Sequence, residues 1–189
     1  MSSNVGTVLI ASIAALLVGP AACSASAESG PTASACAGKI PPALAPPAGN
    51  ELAFELRAEG VQIYACASSS GAAASWALQA PEAALIDRRG VRAGTHGAGP
   101  TWEALDGSSV VGAKVEAATP DPSAIPWLLL RAVDHRGDHG RMADVTFVQR
   151  LATSGGTAPS KGCGPDSVGA VARVPYRAVY CFYRAGPRL

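Results

Sequence analysis

The sequence predicts an all-β protein: a single antiparallel sandwich or barrel-like domain behind an N-terminal signal segment. Three observations lead to that class. Past residue 50, strand-sized apolar runs recur at intervals of about 8–20 residues, split by Gly, Pro, Asp and Ser. Long amphipathic helical periods are absent, which argues against βαβ repeats and a dinucleotide-binding fold. Four of the five cysteines fall outside the leader, an even number suited to disulfides in an exported chain.

The leader comes first in the chain. No charged side chain precedes Glu28, and residues 5–18, VGTVLIASIAALLV, have the length of a signal-peptide apolar region. Ala25-Ser26-Ala27 fits a small-residue cleavage site, which divides the chain into a signal peptide over 1–27, a linker and lead-in over 28–50, and a β domain over 51–185. Pro20-Ala21-Ala22-Cys23 resembles a bacterial lipobox, with proline where leucine is usual, so a lipid anchor at Cys23 is the alternative to free release. Gly19, Pro20 and the serines interrupt a clean span of about 20 apolar residues, and no membrane span is expected in the mature chain. The protein is read as periplasmic or extracellular.

Residues 28–50 are rich in Ala, Pro, Gly and Ser and show no hydrophobic period, the pattern of a linker and a stiff, extended lead-in. Leu52, Phe54 and Leu56 then alternate with polar residues, as in a half-buried strand. Val61 to Cys66, Trp76 to Leu78 and Ala84 to Ile86 are further strand candidates. Ile125 to Val133, IPWLLLRAV, is apolar on both faces and suits a strand covered on both sides, with Pro126 limiting its pairing. Val145 to Leu151 and Val174 to Tyr183 complete the set. A short helix in 79–84 or 112–124 is the one departure the pattern permits.

Fifteen basic and fourteen acidic residues leave a net charge of +1, which gives no field for nucleic acid or anionic lipid. Roughly a fifth of the chain is alanine. Its core must therefore rest on Val, Leu, Ile and aromatic side chains, worth about 1.5–3 kcal/mol each when fully buried.

The stretch GTHGAGPTWEALDGSSVV, residues 94–111, concentrates the candidate chemistry. Asp106-Gly107 between β-compatible runs is a hairpin signal, and a type I′ turn there sets Leu105 opposite Ser108, Glu103 opposite Val110 and Trp102 opposite Val111. Gly97, Gly99 and Pro100 make the preceding residues a loop entering that hairpin. The chemical reading takes His96 as a proton shuttle with Glu103 or Asp106 as its partner, and Trp102 as a stacking face for a sugar or another flat ligand. Alternation along a strand sends Trp102 and Glu103 to opposite faces.

Other motifs carry less. His135 and His139 sit four apart, but Gly137 and Gly140 make the segment a turn, and no metal site is expected. Ser160-Lys161-Gly162 lacks the order of a phosphate loop and no helix follows it. G-x-S-x-G and C-x-x-C are both missing, so no nucleophile, zinc or thiol-redox signature is present, and no cofactor is expected. Cys36, Cys66, Cys163 and Cys181 allow three pairings.

In order along the chain, PPALAPPAGNEL, GVQIYAC, W-x-L-x-x-PEA-x-L, H-x-x-GPTWE-x-x-DGS, IPWLLL, VTFVQRL-x-T-x-GG-x-AP and VPYRAVYCFYR resemble the bacterial and fungal family catalogued as domain of unknown function 3455. The resemblance covers about residues 40–184. It implies a secreted or periplasmic protein and no established activity. Some fungal members carry a malate dehydrogenase label, which this sequence does not support, having neither a Gly-rich nucleotide fingerprint nor βαβ periodicity. His96, Gly99, Pro100, Trp102, Glu103 and the Asp106-Gly107-Ser108 turn match the centre of the family pattern; His135 and His139 match nothing in it. The resemblance also implies a Cys66–Cys163 pair, which leaves Cys36 for Cys181. Two function classes follow. One is an exported binding or structural module of the cell envelope or extracellular space, taking a small molecule or a glycan. The other is a hydrolase or lyase using His96 with Glu103 or Asp106.

Overall fold

The computed structural model describes residues 34–68 and 73–187. The expected signal peptide, its cleavage site and Cys23 lie outside the described residues. Eight antiparallel strands follow one another around a closed barrel. They are β1 Asn50–Ala67, β2 Ser75–Ile86, β3 Arg92–Gly97, β4 Thr101–Ala104, β5 Ser109–Ala118, β6 Trp127–Arg136, β7 Val145–Gly155 and β8 Val171–Ala185. The last strand pairs with the first from Asn50↔Ala185 to Ala65↔Val171, which closes the ring and satisfies the edges an open sheet would expose. Of the sandwich and the barrel, the chain forms the barrel.

Several elements differ from the sequence expectation. Trp76 to Leu78 and Ala84 to Ile86 belong to one strand, β2, whose alanines and Pro81 blur the alternation that would have joined them. Residues 79–84, one of the two helix options, lie within that strand, and most of the other option lies in β5 or the turn that follows it. Leu52 is 42% exposed, because a bulge between Leu52 and Phe54 breaks the alternation that would have put it beside Leu56. β6 runs on to Arg136, so His135 stands on a strand and only His139 in the turn.

Two packed clusters flank the sheet. Inside the barrel lie Leu56, Leu85, Trp102, Val148, Tyr180 and Phe182 among others. Outside it, Leu129, Leu151, Cys181 and Tyr183 pack against Cys36 and Leu44. The expectation that IPWLLLRAV is covered on both sides is met by this arrangement: Leu130 belongs to the inner cluster and its neighbour Leu129 to the outer one. The cover is the proline-rich lead-in itself. From Ser34 it folds into two 3-10 turns, Ala35–Ala37 and Pro42–Leu44, and Leu44 is fully buried. Buried Gln149 fixes this strap, donating from Nε2 to the Leu44 carbonyl at 2.5 Å and accepting from the Tyr183 hydroxyl at 2.7 Å.

Two disulfides tie the layers. Cys36–Cys181 bonds the strap to β8, and Cys66–Cys163 bonds the end of β1 to the β7–β8 connection. Their Cα separations, 5.8 and 5.3 Å, are ordinary for such bridges. This is the pairing that the family resemblance implied. Among the described residues no helix is long and apolar enough to cross a membrane.

Candidate functional site

The stretch that concentrates the candidate chemistry forms two successive hairpins rather than a loop entering one. Gly94 to Gly97 are strand β3, not loop, and pair with β4 so that His96 lies opposite Trp102. The second hairpin has the expected location and a different register. Gly107 donates to the Ala104 carbonyl at 3.0 Å, and Ala104 donates to the Ser108 carbonyl at 2.9 Å. Gly107 takes φ 84°, so the connection is a three-residue loop with a glycine bulge in place of a two-residue turn. One extra loop residue shifts the pairing by one. Trp102 therefore faces Val110 and Glu103 faces Ser109, whereas the shorter turn would have set Trp102 against Val111, Glu103 against Val110 and Leu105 against Ser108.

His96 and Trp102 both turn into the barrel, 3% and 1% exposed, and stack with ring centroids 4.7 Å apart and planes 9° from parallel. Tyr180 meets both rings edge-on. Gly112 makes room for the indole: a Cβ there would come within 2.9 Å of Trp102 Cζ3. Glu103, next along β4, points out of the barrel and pairs with Arg136 at 2.9 Å.

Asp106 stands apart from both rings. Its carboxylate accepts from the Ser108 hydroxyl at 2.5 Å, from the Ser108 amide at 2.9 Å and from the Arg141 amide at 2.8 Å. Ser108 Oγ in turn accepts from the amide of Met142, a fully buried residue. Asp106 thus latches the β6–β7 connection onto the hairpin, and the Ser108 hydroxyl above all holds its carboxyl below the ordinary aspartate range. Of the four candidates, His96 and Trp102 share one space; Glu103 and Asp106 do not enter it.

Burial pushes the His96 pKa down to about 3, against a smaller upward pull from the Thr101 carbonyl, and Arg150 lowers it further. His96 Nδ1 lies 2.9 Å from that carbonyl, an acceptor, so Nδ1 carries the proton of a neutral ring.

Beside the two rings is a cavity of about 290 Å³. Its walls carry Leu128, Leu130 and Tyr180 with His96 and Trp102, and its rim carries Leu78, Pro81, Gly99 and Pro100. The rim coincides with a gap in the ladder, because β2 pairs with β3 only over Ala83–Ile86. Two polar side chains enter the same space, Gln62 from β1 and Arg150 from β7. Gln62 is 1% exposed, and among the described residues neither its Nε2 nor Trp102 Nε1 has a hydrogen-bond partner. A buried donor left without an acceptor costs about 1–3 kcal/mol, so two around one cavity point to a ligand-facing surface. Arg150 donates from Nε to the Pro126 carbonyl at 3.0 Å and forms no ion pair among the described residues.

Gln62 and Arg150 were not among the sequence candidates. For Arg150 a signal exists: Gln149 and Arg150 are neighbours in an apolar strand, so one of the two must point inward. Elsewhere, His135 Nε2 lies 2.7 Å from the Val145 carbonyl. Among the described residues no group of three or more His, Cys, Asp or Glu is placed to hold a metal ion.

A family model described as a protein of unknown function, DUF3455, matches residues 47–184. No curated protein and no solved structure matches the chain.

Proposed function

The chain belongs to the DUF3455 family, and from that premise we propose that it is an exported β-barrel module that binds a small molecule in its interior cavity. Export is supported by the apolar leader, the small-residue cleavage motif and two disulfides of long sequence span. The observation that carries the binding reading is the cavity of about 290 Å³ on which His96, Trp102 and the unpartnered donors of Gln62 and Trp102 converge. Ligand sites are characteristically apolar and aromatic hollows with a few placed polar groups. The stacked rings and Tyr180 suit a flat, largely apolar body better than a long glycan, which needs an open groove. The hydrolase or lyase alternative calls for an imidazole and a carboxylate in one cleft, and no observation favours it: Glu103 faces outward and Asp106 is engaged in the turn.

Trp102 supplies the test. A Trp76→Phe/Trp127→Phe protein keeps it as the only indole of the three in the chain. Titration with a panel of aromatic fragments, neutral and anionic, is expected to change its fluorescence saturably, and Pro81→Trp, at the β2 position that faces Gln62 across the ladder, should abolish the response when scored by ligand-observed NMR. If no fragment perturbs Trp102, the binding reading fails.

A further inference from the structure

Among the described residues Arg150 is the one cationic side chain that lines the cavity, and two donors that line it stand without acceptors. Arg150 enters the cavity from β7, and among the described residues no carboxylate pairs with it and none lines the cavity. It shares the cavity lining with His96, Trp102 and Tyr180. Among the described residues Gln62 Nε2 and Trp102 Nε1, which can only donate, are buried without an acceptor, and the Tyr180 hydroxyl, which can donate as well as accept, is buried there without a partner too. What such a set lacks is an acceptor carrying negative charge. Resting on the binding reading above, we propose that the ligand is a monocarboxylate with a flat or short apolar body, its carboxylate held by the Arg150 guanidinium with Gln62 and Trp102 as flanking neutral donors.

The charge count selects a monoanion. One guanidinium sharing a cavity with neutral donors balances a single negative charge; a phosphate dianion would bring a second charge with no cation in the lining to meet it. Leu128, Leu130 and the stacked rings take up the rest of the molecule. Nothing covalent occurs, and His96 serves as a neutral wall of the pocket.

Hydrocinnamate and hydrocinnamamide, alike in shape and different in charge, test this in the protein that keeps Trp102 as its sole indole. The acid is expected to bind about tenfold or more tightly than the amide, as a charge-assisted hydrogen bond implies. Arg150→Gln should bring the two to within about twofold, while Arg150→Lys, which keeps the charge, should retain a clear preference for the acid. Near-ultraviolet circular dichroism confirms that each variant is folded, and Gln62→Leu, expected to weaken the acid more than the amide, reads the same site without touching the arginine. Equal binding of acid and amide to the unsubstituted cavity overturns the monocarboxylate and leaves the binding reading standing. Binding of neither also overturns the monocarboxylate, and the fragment panel then decides the binding reading by itself.

Discussion

Replacing Cys36 and Cys181 together by alanine lowers the unfolding free energy by about 4–5 kcal/mol, measured by urea denaturation of the oxidised protein. The bridge spans 145 residues, and in the chain-entropy account a loop of that length restricts the unfolded chain by about 5 kcal/mol. Its loss also acts on the folded state. Cys36 is the covalent hold on the strap that brings Leu44 over Leu129, Leu151 and Tyr183. Without it, the Leu44 packing and the hydrogen bonds of Gln149 and of Ser34 with Glu55 must hold the strap, so a protease should cut within residues 34–48 of the variant well before it cuts the barrel. The Cys66–Cys163 bridge spans 97 residues and joins segments already held in the ladder, so its removal should cost slightly less and leave the strap protected. A loss below about 1 kcal/mol for the first pair, with the strap uncut, would show that packing and not the bond secures it.

Stability declines with acidification from about pH 6.5, and His96 is the reason. In the unfolded chain the imidazole binds a proton below its ordinary value of 6.5; in the barrel it does so only near 3. Between those limits the unfolded state holds more protons, so stability rises with pH and is lost as pH falls, at up to about 1.4 kcal/mol per unit. Glu55, Asp87, Asp106 and Asp121, whose carboxyls are held low, lose their contributions in the same direction but only below about pH 5. The interval from pH 6.5 to 5 therefore isolates the imidazole. His96→Phe keeps a ring against Trp102, gives up the bond to Thr101 at a cost of about 1–3 kcal/mol, and should flatten the slope over that interval. An unchanged slope in the variant would mean that the acid sensitivity lies elsewhere.

How far the sequence disclosed this molecule depends on which residues are asked. Strand class, the doubly covered β6 and the second hairpin all follow from side-chain patterns that act locally. The register of that hairpin does not, because two-residue and three-residue loops share the Asp-Gly signal and differ only in where the bulge falls. His96 and Trp102 are both legible in the sequence, His96 as part of a loop and Trp102 on a hairpin strand; their meeting as a cross-strand pair needed β3, which glycines at 94 and 97 disguise. Gln62 was hidden for a different reason. In Val61-Gln62-Ile63-Tyr64 the branched residues look like the core face, yet Gln62 and Tyr64 are the buried pair. A barrel with a polar pocket reverses the usual inference from hydrophobicity to inside, and only closure of the ring shows which face is which.

The same interior sets an alkaline boundary. All four tyrosines of the chain, Tyr64, Tyr176, Tyr180 and Tyr183, have their ionisation raised above 10 by desolvation. A phenol that resists ionising in the fold supports it fully below pH 10 and withdraws that support as pH climbs beyond. With the imidazole fixing the opposite boundary, the barrel sits on a broad plateau across neutral pH. Phenolate absorbance becomes a late signal that reports the opening of the barrel more than the titration of its surface.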